Sequence, residues 1–189
     1  MGSYARTKAQ RDGDFTRSKV FEHKVRQELP SAVDDRTASN VELDFYVESN
    51  NDCHPYVLEV KEKGQKYGTR WHLLPGVDNR DLFILDELSF RKARQFEDDH
   101  AVPAFFLLHD IPGDRLFLAG TDELSLVDRV RVDRVGPDGH RKGKMILDLT
   151  HLHQVALPGL HETIQVFIAN RRKDWGWSGV LSMREVPHV

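Results

Sequence analysis

The stretch from Tyr56 to Lys63 reads Tyr-Val-Leu-Glu-Val-Lys-Glu-Lys, and the fold is organised around it. Its apolar side chains indicate a strand, which Glu59 and Lys61 interrupt. Alternate side chains of a strand point to the same face, so Glu59 and Lys61 project together. A carboxylate and an ammonium group on a mostly apolar strand are costly to bury unless they pair with each other or with a metal ion.

A second strand-like segment covers residues 41–47 and reads Val-Glu-Leu-Asp-Phe-Tyr-Val. Apolar and polar residues alternate along it, so Asp44 projects from the polar face. If this segment pairs with residues 56–63 as a hairpin, Asp44 lies near Glu59 and Lys61. Two carboxylates then offer oxygen ligands to a hard divalent cation, and the lysine is placed to orient a water molecule or a phosphate.

A helix carrying Glu22, an Asp on one strand and Glu-x-Lys on the next together resemble the motifs of the PD-(D/E)xK nuclease superfamily. The layout is most similar to the archaeal-type Holliday junction resolvase branch, and the resemblance runs from Phe15 to about Leu118. Leu43 precedes the Asp, where the family often has Pro. The residues to which the resemblance gives catalytic roles are Asp44, Glu59, Lys61 and Glu22.

The resemblance implies a divalent-metal-dependent endonuclease that hydrolyses DNA phosphodiester bonds, with branched or junction DNA as the substrate in the similar branch. Mg²⁺, with Mn²⁺ as a substitute, is then held by Asp44, Glu59 and the Val60 carbonyl, and Glu22 completes the ligand set directly or through water. Lys61 orients the attacking water or stabilises the developing negative charge. A homodimer is expected, because a junction resolvase must cut two strands.

Around these strands, the patterns predict a mixed central β-sheet flanked by helices, which is the restriction-endonuclease-like core of the family. Phe21, Val25 and Leu29 recur every fourth residue and indicate an N-terminal helix. A second helix is expected over residues 86–100. The near-continuous apolar run over residues 102–108 is typical of a strand covered on both faces.

The chain divides into three expected parts. Residues 1–14 are polar and are predicted to form a flexible N-terminal arm, and residues 15–120 form the nuclease-like core. Residues 121–189 form a C-terminal extension packed on the same domain. It contains a β-hairpin over residues 129–149, predicted to add to the edge of the sheet, and a helix over residues 158–173.

A basic and aromatic segment follows the central strands and is a candidate nucleic-acid contact. Basic side chains on a Gly-containing loop can follow a phosphate backbone, and interleaved aromatic rings can stack on bases. A solvated loop with two packed aromatic residues is an equal alternative. In the family, the helix after Glu-x-Lys lends polar side chains to the site. The candidate nucleic-acid contacts are Lys63, Lys66, Tyr67, Arg70, Trp71, Arg91, Lys92 and Gln95.

Composition limits the classes of protein that fit. A length of 189 residues suits one domain with or without an appendage, and a formal net charge of −3 lacks the global basicity of a protein that coats nucleic acid. A single cysteine, Cys53, excludes an internal disulfide. No apolar stretch is long enough to span a bilayer, so a cytoplasmic, intracellular protein without a membrane partner is expected.

Two other interpretations stay open. In one, the chain is a catalytically inactive module that binds nucleic acid or protein on a nuclease-like fold. The joint presence of Asp44, Glu59 and Lys61 argues against that module. In the other, Glu59 and Lys61 form an ion pair on a half-exposed strand, which is frequent in sheets. The sequence does not decide between DNA and RNA, nor does it define the DNA structure that is recognised.

Overall fold

The computed structural model describes residues 8–38, 42–49, 53–64, 74, 76–126, 129–135 and 141–174. The helices in these ranges are α1 (Lys8–Gln27), α2 (Glu87–His100), α3 (Thr121–Leu126) and α4 (Leu160–Asp174). The strands are β1 (Asp34–Asp35), β2 (Phe45–Val47), β3 (Tyr56–Lys63), β4 (Leu82–Asp86), β5 (Ala104–Asp110), β6 (Arg115–Gly120), β7 (Arg129–Val135), β8 (Arg141–Asp148) and β9 (His153–Val155). Within the described ranges, no helix combines the length and the apolar character that crossing a membrane requires.

Six strands form the main sheet, in the order β1-β2-β3-β5-β6-β9. β3 and β5 are parallel, and the other neighbouring pairs in this sheet are antiparallel. A parallel pair needs a long crossover connection, and the chain between β3 and β5, which includes α2, supplies it. The predicted mixed central sheet with flanking helices is thereby confirmed.

Apolar side chains cover both faces of the main sheet. One face packs against α1 and α4, through residues such as Val25 and Ile164. The other face packs against α2 and against strands β4 and β8. β5 lies between these layers, and all five residues from Ala104 to Leu108 are fully buried. The apolar run that predicted a strand covered on both faces thus occupies that position.

A second sheet has three strands in the order β4-β8-β7. The predicted hairpin is present, because β7 and β8 pair antiparallel, but the expectation that it adds to the edge of the main sheet is wrong. It pairs through β8 with β4, a strand that is not among the predicted elements. Phe83, Leu85, Met145 and Leu147 of these two strands are buried against the main sheet. An edge position would have left those side chains in water, and apolar burial favours the stacked arrangement.

Helix α1 begins earlier than the sequence patterns indicated. It starts at Lys8, inside the segment 1–14 that was expected to be a flexible arm. The first helical residues are Lys, Ala, Gln and Arg, which have high intrinsic helix propensity. Gly13 lies in this first part of the helix and costs about 1 kcal/mol relative to Ala. Propensity therefore extends the helix beyond the apolar stripe that predicted it.

Strand β2 is shorter than the predicted strand 41–47 and begins at Phe45. Leu43 and Phe45 are both buried, but they belong to the cores on opposite faces of the main sheet. In a continuous strand these two residues would share a face. The chain consequently bends at Asp44, and this bend sets the position of the Asp44 carboxylate.

Candidate active site

Asp44 lies at the start of β2, beside the middle of β3. The antiparallel register places Phe45 opposite Leu58, so the residue before Phe45 runs alongside Glu59 and Val60. The Asp44 Oδ2 atom accepts a hydrogen bond of 2.7 Å from the Val60 N–H. This bond takes the place of the strand pairing that a longer β2 would have made, and it fixes the carboxylate against β3.

Glu59 and Lys61 project from one face of β3, because alternate residues of a strand share a face. The Lys61 Nζ atom lies 2.5 Å from Glu59 Oε1. Glu59 is buried, with only 6% of its surface exposed. Its Oε2 atom has no hydrogen-bond partner among the residues that the structure describes. A buried carboxylate oxygen without a donor is energetically costly, and it is an oxygen able to bind a cation.

Asp44 has an unusual affinity for protons. Burial, followed by the nearby Glu59 carboxylate, raises the pKa of Asp44 from 3.8 to about 6, and Glu22 acts in the same direction. Lys61 and the Val60 N–H oppose this rise. Two carboxylates that share a site cannot both ionise easily. The site therefore has less positive charge than is needed to balance the Asp44 and Glu59 carboxylates.

Lys61 supplies the cation that the site does contain. Burial favours the neutral amine, but the carboxylates of Glu59 and Asp44 outweigh it and raise the pKa of Lys61 above its ordinary value of 10.5. Asp86, at the end of β4, acts in the same direction. Lys61 consequently keeps its charge at neutral pH.

Glu22 lies on α1, next to this cluster. Its Oε1 atom accepts a hydrogen bond of 2.8 Å from the Ser18 hydroxyl, and its Oε2 atom lies 2.9 Å from Lys19 Nζ. Glu22 is close enough to raise the pKa of Asp44. Among the described residues, however, no group of three or more His, Cys, Asp or Glu residues is arranged to hold a metal ion. Glu22 is thus a neighbour of the two strand carboxylates and is held by its own helix.

The donor set offers oxygen ligands of the kind that hard divalent cations take, since such ions commonly bind one or two carboxylates together with waters and substrate phosphate oxygens. Asp44 and Glu59 supply two carboxylates. Among the described residues, Glu59 Oε2 and Glu22 Oε2 are both buried without a hydrogen-bond donor. The N–H and C=O of a strand residue point to the same neighbouring strand, so the Val60 carbonyl faces the side on which Asp44 lies. These three oxygen sources are compatible with the predicted metal ligands.

The prediction that Lys63 contacts nucleic acid is wrong. Lys63 is buried, and its Nζ atom lies 2.6 Å from Asp110 Oδ1. The same ammonium group donates hydrogen bonds to the carbonyls of Arg80, at 3.1 Å, and Leu82, at 2.8 Å. Lys63 lies on the face of β3 that the start of β4 covers. Its side chain, which was expected to be exposed, therefore links the two sheets.

Three of the other predicted nucleic-acid contacts lie on α2. Lys92 is one turn before Phe96, whose ring lies 6.1 Å from the ring of Tyr46 on β2, and residues four apart share a helix face. Arg91 is exposed, and the Gln95 amide donates a hydrogen bond within α2. Lys92 is therefore the α2 candidate that lies toward β2. The predicted contacts that lie outside the described residues are Lys66, Tyr67, Arg70 and Trp71.

Two residues near the site are not among the predicted site residues, although Lys144 belongs to the basic hairpin tip of residues 140–144. Asp86 ends β4 and Lys144 lies opposite it on β8, and their side chains form an ion pair. The run Leu-Phe-Ile-Leu before Asp86 is a signal for a buried strand. Nothing local in the sequence, however, indicates that this strand pairs with residues almost sixty positions later.

Comparisons with known proteins gave fold-level likenesses only. No family model matches the sequence, and no curated protein matches it. A Holliday junction resolvase from the archaeal hyperthermophile Archaeoglobus fulgidus is similar in structure with a TM-score of 0.42 and 11% identity, over 77% of this chain and 93% of that chain. A nuclease from a fusselovirus is similar with a TM-score of 0.43 and 10% identity, over 90% of this chain and 99% of that chain. At these TM-scores, neither likeness says what this chain binds or cuts.

Proposed function

We propose that this protein is a divalent-metal-dependent nuclease that hydrolyses DNA phosphodiester bonds at Asp44, Glu59 and Lys61. The observation that carries the proposal is the convergence of these three side chains where β2 begins beside β3. Asp44 is bound to the Val60 N–H, Glu59 is buried with one oxygen lacking a donor, and Lys61 lies 2.5 Å from Glu59. The motif resemblance gives the same three residues catalytic roles.

Asp44, Glu59 and the Val60 carbonyl would hold Mg²⁺, with Mn²⁺ as a substitute. When bound, the ion polarises a phosphoryl oxygen and lowers the pKa of a coordinated water. Because the pKa of Asp44 is raised to about 6, a bound ion would compete with a proton for this carboxylate, and metal affinity should rise with pH up to about 6. The Val60 N–H holds Oδ2 of Asp44 in place and leaves the carboxylate oriented before the ion arrives.

Lys61 has the second role in the proposal. Its ammonium is held by Glu59 in the metal-free protein. Once the charge of Glu59 is shared with an ion, Lys61 can donate a hydrogen bond to the attacking water or to the phosphoryl oxygen that gains negative charge. Because this hydrogen bond would be made to charge that develops in the transition state, removal of Lys61 is expected to lower the rate more than the affinity.

Glu22 would act through a water molecule, because Ser18 and Lys19 already engage its carboxylate. Lys92 would contact the DNA backbone from α2. A substrate of branched or junction DNA, and a homodimer that cuts two strands, extend the proposal along the motif resemblance. An RNA substrate is the competing outcome in the same assay.

The test is cleavage of a substrate panel by purified single variants. The panel contains a four-way junction, a flap, a linear duplex, single-stranded DNA and RNA, each with Mg²⁺, Mn²⁺ or a chelator. Asp44→Asn, Glu59→Gln and Lys61→Met should each lower the cleavage rate at least about 100-fold, the loss typical of removing a group that stabilises a transition state.

Glu62→Gln is the matched control. Glu62 is on the same strand but on the opposite face, where it accepts a hydrogen bond from His109 at 2.8 Å, so this variant should keep its activity. Full activity in any of the three site variants would overturn the assignment of that residue. DNA binding without cleavage of any substrate, together with no calorimetric binding of Mg²⁺ or Mn²⁺, would instead support the inactive binding module.

A further inference from the structure

The end of β4 and the middle of β8 bring an ion pair to the edge of the candidate site. Asp86 is opposite Lys144 in the register of these strands, and Lys144 Nζ pairs with Asp86 Oδ1. About half of the Asp86 side chain is exposed, and a quarter of the Lys144 side chain is exposed. The pair is therefore accessible from solvent and is built from two rigid strands rather than from a loop.

The strand that carries Asp86 is joined to β3, the strand that carries Glu59 and Lys61. Lys63 ties β3 to the start of β4, through hydrogen bonds to the carbonyls of Arg80 and Leu82. From Leu82, β4 runs to Asp86, whose carboxylate adds to the electrostatic stabilisation of the Lys61 ammonium. The Asp86 carboxylate thus interacts electrostatically with two cations, Lys61 and Lys144.

The strand pairing holds the backbone at Lys144, because β8 pairs with β4 on one side and with β7 on the other. Next to it, Gly143 lies against the carboxylate of Glu87, the first residue of α2. A lysine mounted on such a backbone presents its charge at a defined position, as a substrate contact requires.

We infer that Lys144, which pairs with Asp86 at the end of β4, binds a backbone phosphate of the substrate. This inference rests on the proposed nuclease function and deepens it. In the free protein, Asp86 holds Lys144 as a partner, and the phosphate takes the place of Asp86 when DNA binds.

The charge of the molecule gives the reason for such a contact. The chain carries a net charge of −3, and Asp44, Glu59 and Asp86 add local negative charge that repels DNA. Electrostatic attraction of DNA must therefore come from cationic side chains at the edge of the acidic site. Lys63 cannot bind the substrate, because it is buried, whereas Lys144 is a partly exposed cation beside Asp86.

The test measures DNA binding as a function of salt, by fluorescence anisotropy of a labelled duplex in the presence of a chelator. Each phosphate contact that is lost lowers the slope of log affinity against log salt by about 0.9, measured between about 50 and 200 mM salt. Lys144→Met should lose about that amount, while Lys144→Arg should keep the wild-type slope. Lys24→Met removes an exposed lysine from α1 and is the matched control, which should not change the slope.

Steady-state cleavage gives a second readout. Lys144→Met should raise KM with little change in kcat, because a phosphate contact away from the reacting group contributes equally to substrate and transition-state binding. Asp86→Asn should bind DNA at least as tightly as wild type, because it removes the carboxylate that competes with the phosphate. This variant keeps the inference testable if Lys144→Met does not fold.

An unchanged salt slope in Lys144→Met, or weaker binding by Asp86→Asn, would overturn the inference while leaving the proposed nuclease function intact. A wild-type protein that neither binds nor cuts any nucleic acid of the panel would overturn both. The two failures are therefore distinguishable in one set of measurements.

Discussion

Replacement of Asp44 by asparagine should stabilise the metal-free protein, although it removes a proposed metal ligand. The side-chain carbonyl of the introduced asparagine can still accept the Val60 N–H that Asp44 Oδ2 accepts at 2.7 Å. What the substitution removes is a carboxylate whose pKa rises from 3.8 to about 6 in the fold, chiefly because it is buried and then because Glu59 is close.

The size of the effect follows from the two pKa values. Their difference is about 2, and each unit of pKa corresponds to about 1.4 kcal/mol, so the ionised carboxylate destabilises the fold by about 3 kcal/mol. Between the two values, the folded protein keeps a proton that the unfolded chain releases. The free energy of unfolding therefore falls as the pH rises from about 4 to about 6, and the loss is complete above that range.

The assay is urea unfolding of wild type and Asp44→Asn in a chelator, at several pH values between about 4 and 8. The free energy of unfolding of the variant minus that of wild type should increase by about 3 kcal/mol across this range. Asp98→Asn, which removes an exposed carboxylate from α2, controls for the loss of one negative charge. Addition of Mg²⁺ at neutral pH should stabilise wild type and not the variant.

A difference between variant and wild type that does not depend on pH would refute the reasoning. So would a wild-type protein that gains stability relative to Asp44→Asn as the pH rises. Either result would mean that the Asp44 carboxylate is not desolvated beside Glu59, and the case for a preformed cation site would lose its electrostatic basis.

Two further predictions concern residues that the sequence grouped together as nucleic-acid contacts. Lys63→Met should lower the free energy of unfolding by about 2 kcal/mol, because the buried Asp110 carboxylate loses the ammonium at 2.6 Å and, among the described residues, keeps only its Arg115 partner. An unchanged free energy of unfolding in urea would show that the Lys63–Asp110 pair does not stabilise the fold. Lys92→Met should weaken DNA binding in the anisotropy assay more than Arg91→Met does, because Lys92 shares its helix face with Phe96, which contacts β2. Equal losses of binding in the two variants would show that the helix face of a basic residue on α2 does not decide whether it contacts DNA.

The geometry around β3 could be predicted because it depends on local rules. Alternation along a strand places Glu59 and Lys61 on one face, and an antiparallel partner places Asp44 beside them. The bend at Asp44 could not be predicted, because Leu43 and Phe45 look like two residues of one apolar face in the sequence. Only the presence of a core on each side of the sheet separates them.

The second sheet lay beyond sequence reasoning for a different reason. Its central contact, between β4 and β8, joins segments almost sixty residues apart, and the burial that stabilises it depends on the main sheet beneath. The pairing of β4 with β8 places Lys144 beside Asp86, and the contact of β3 with the start of β4 buries Lys63. A basic residue near a catalytic motif can therefore be assigned to substrate binding only when the elements that cover it are known.

The most direct test of the central claim is anomalous diffraction from crystals of the protein grown with Mn²⁺ and a DNA substrate. One anomalous peak is expected, bonded to the carboxylates of Asp44 and Glu59 and to the Val60 carbonyl, with Lys61 Nζ beside the phosphate. A peak bonded to other residues in crystals of cleavage-competent protein, with these two carboxylates free of metal, would contradict the central claim.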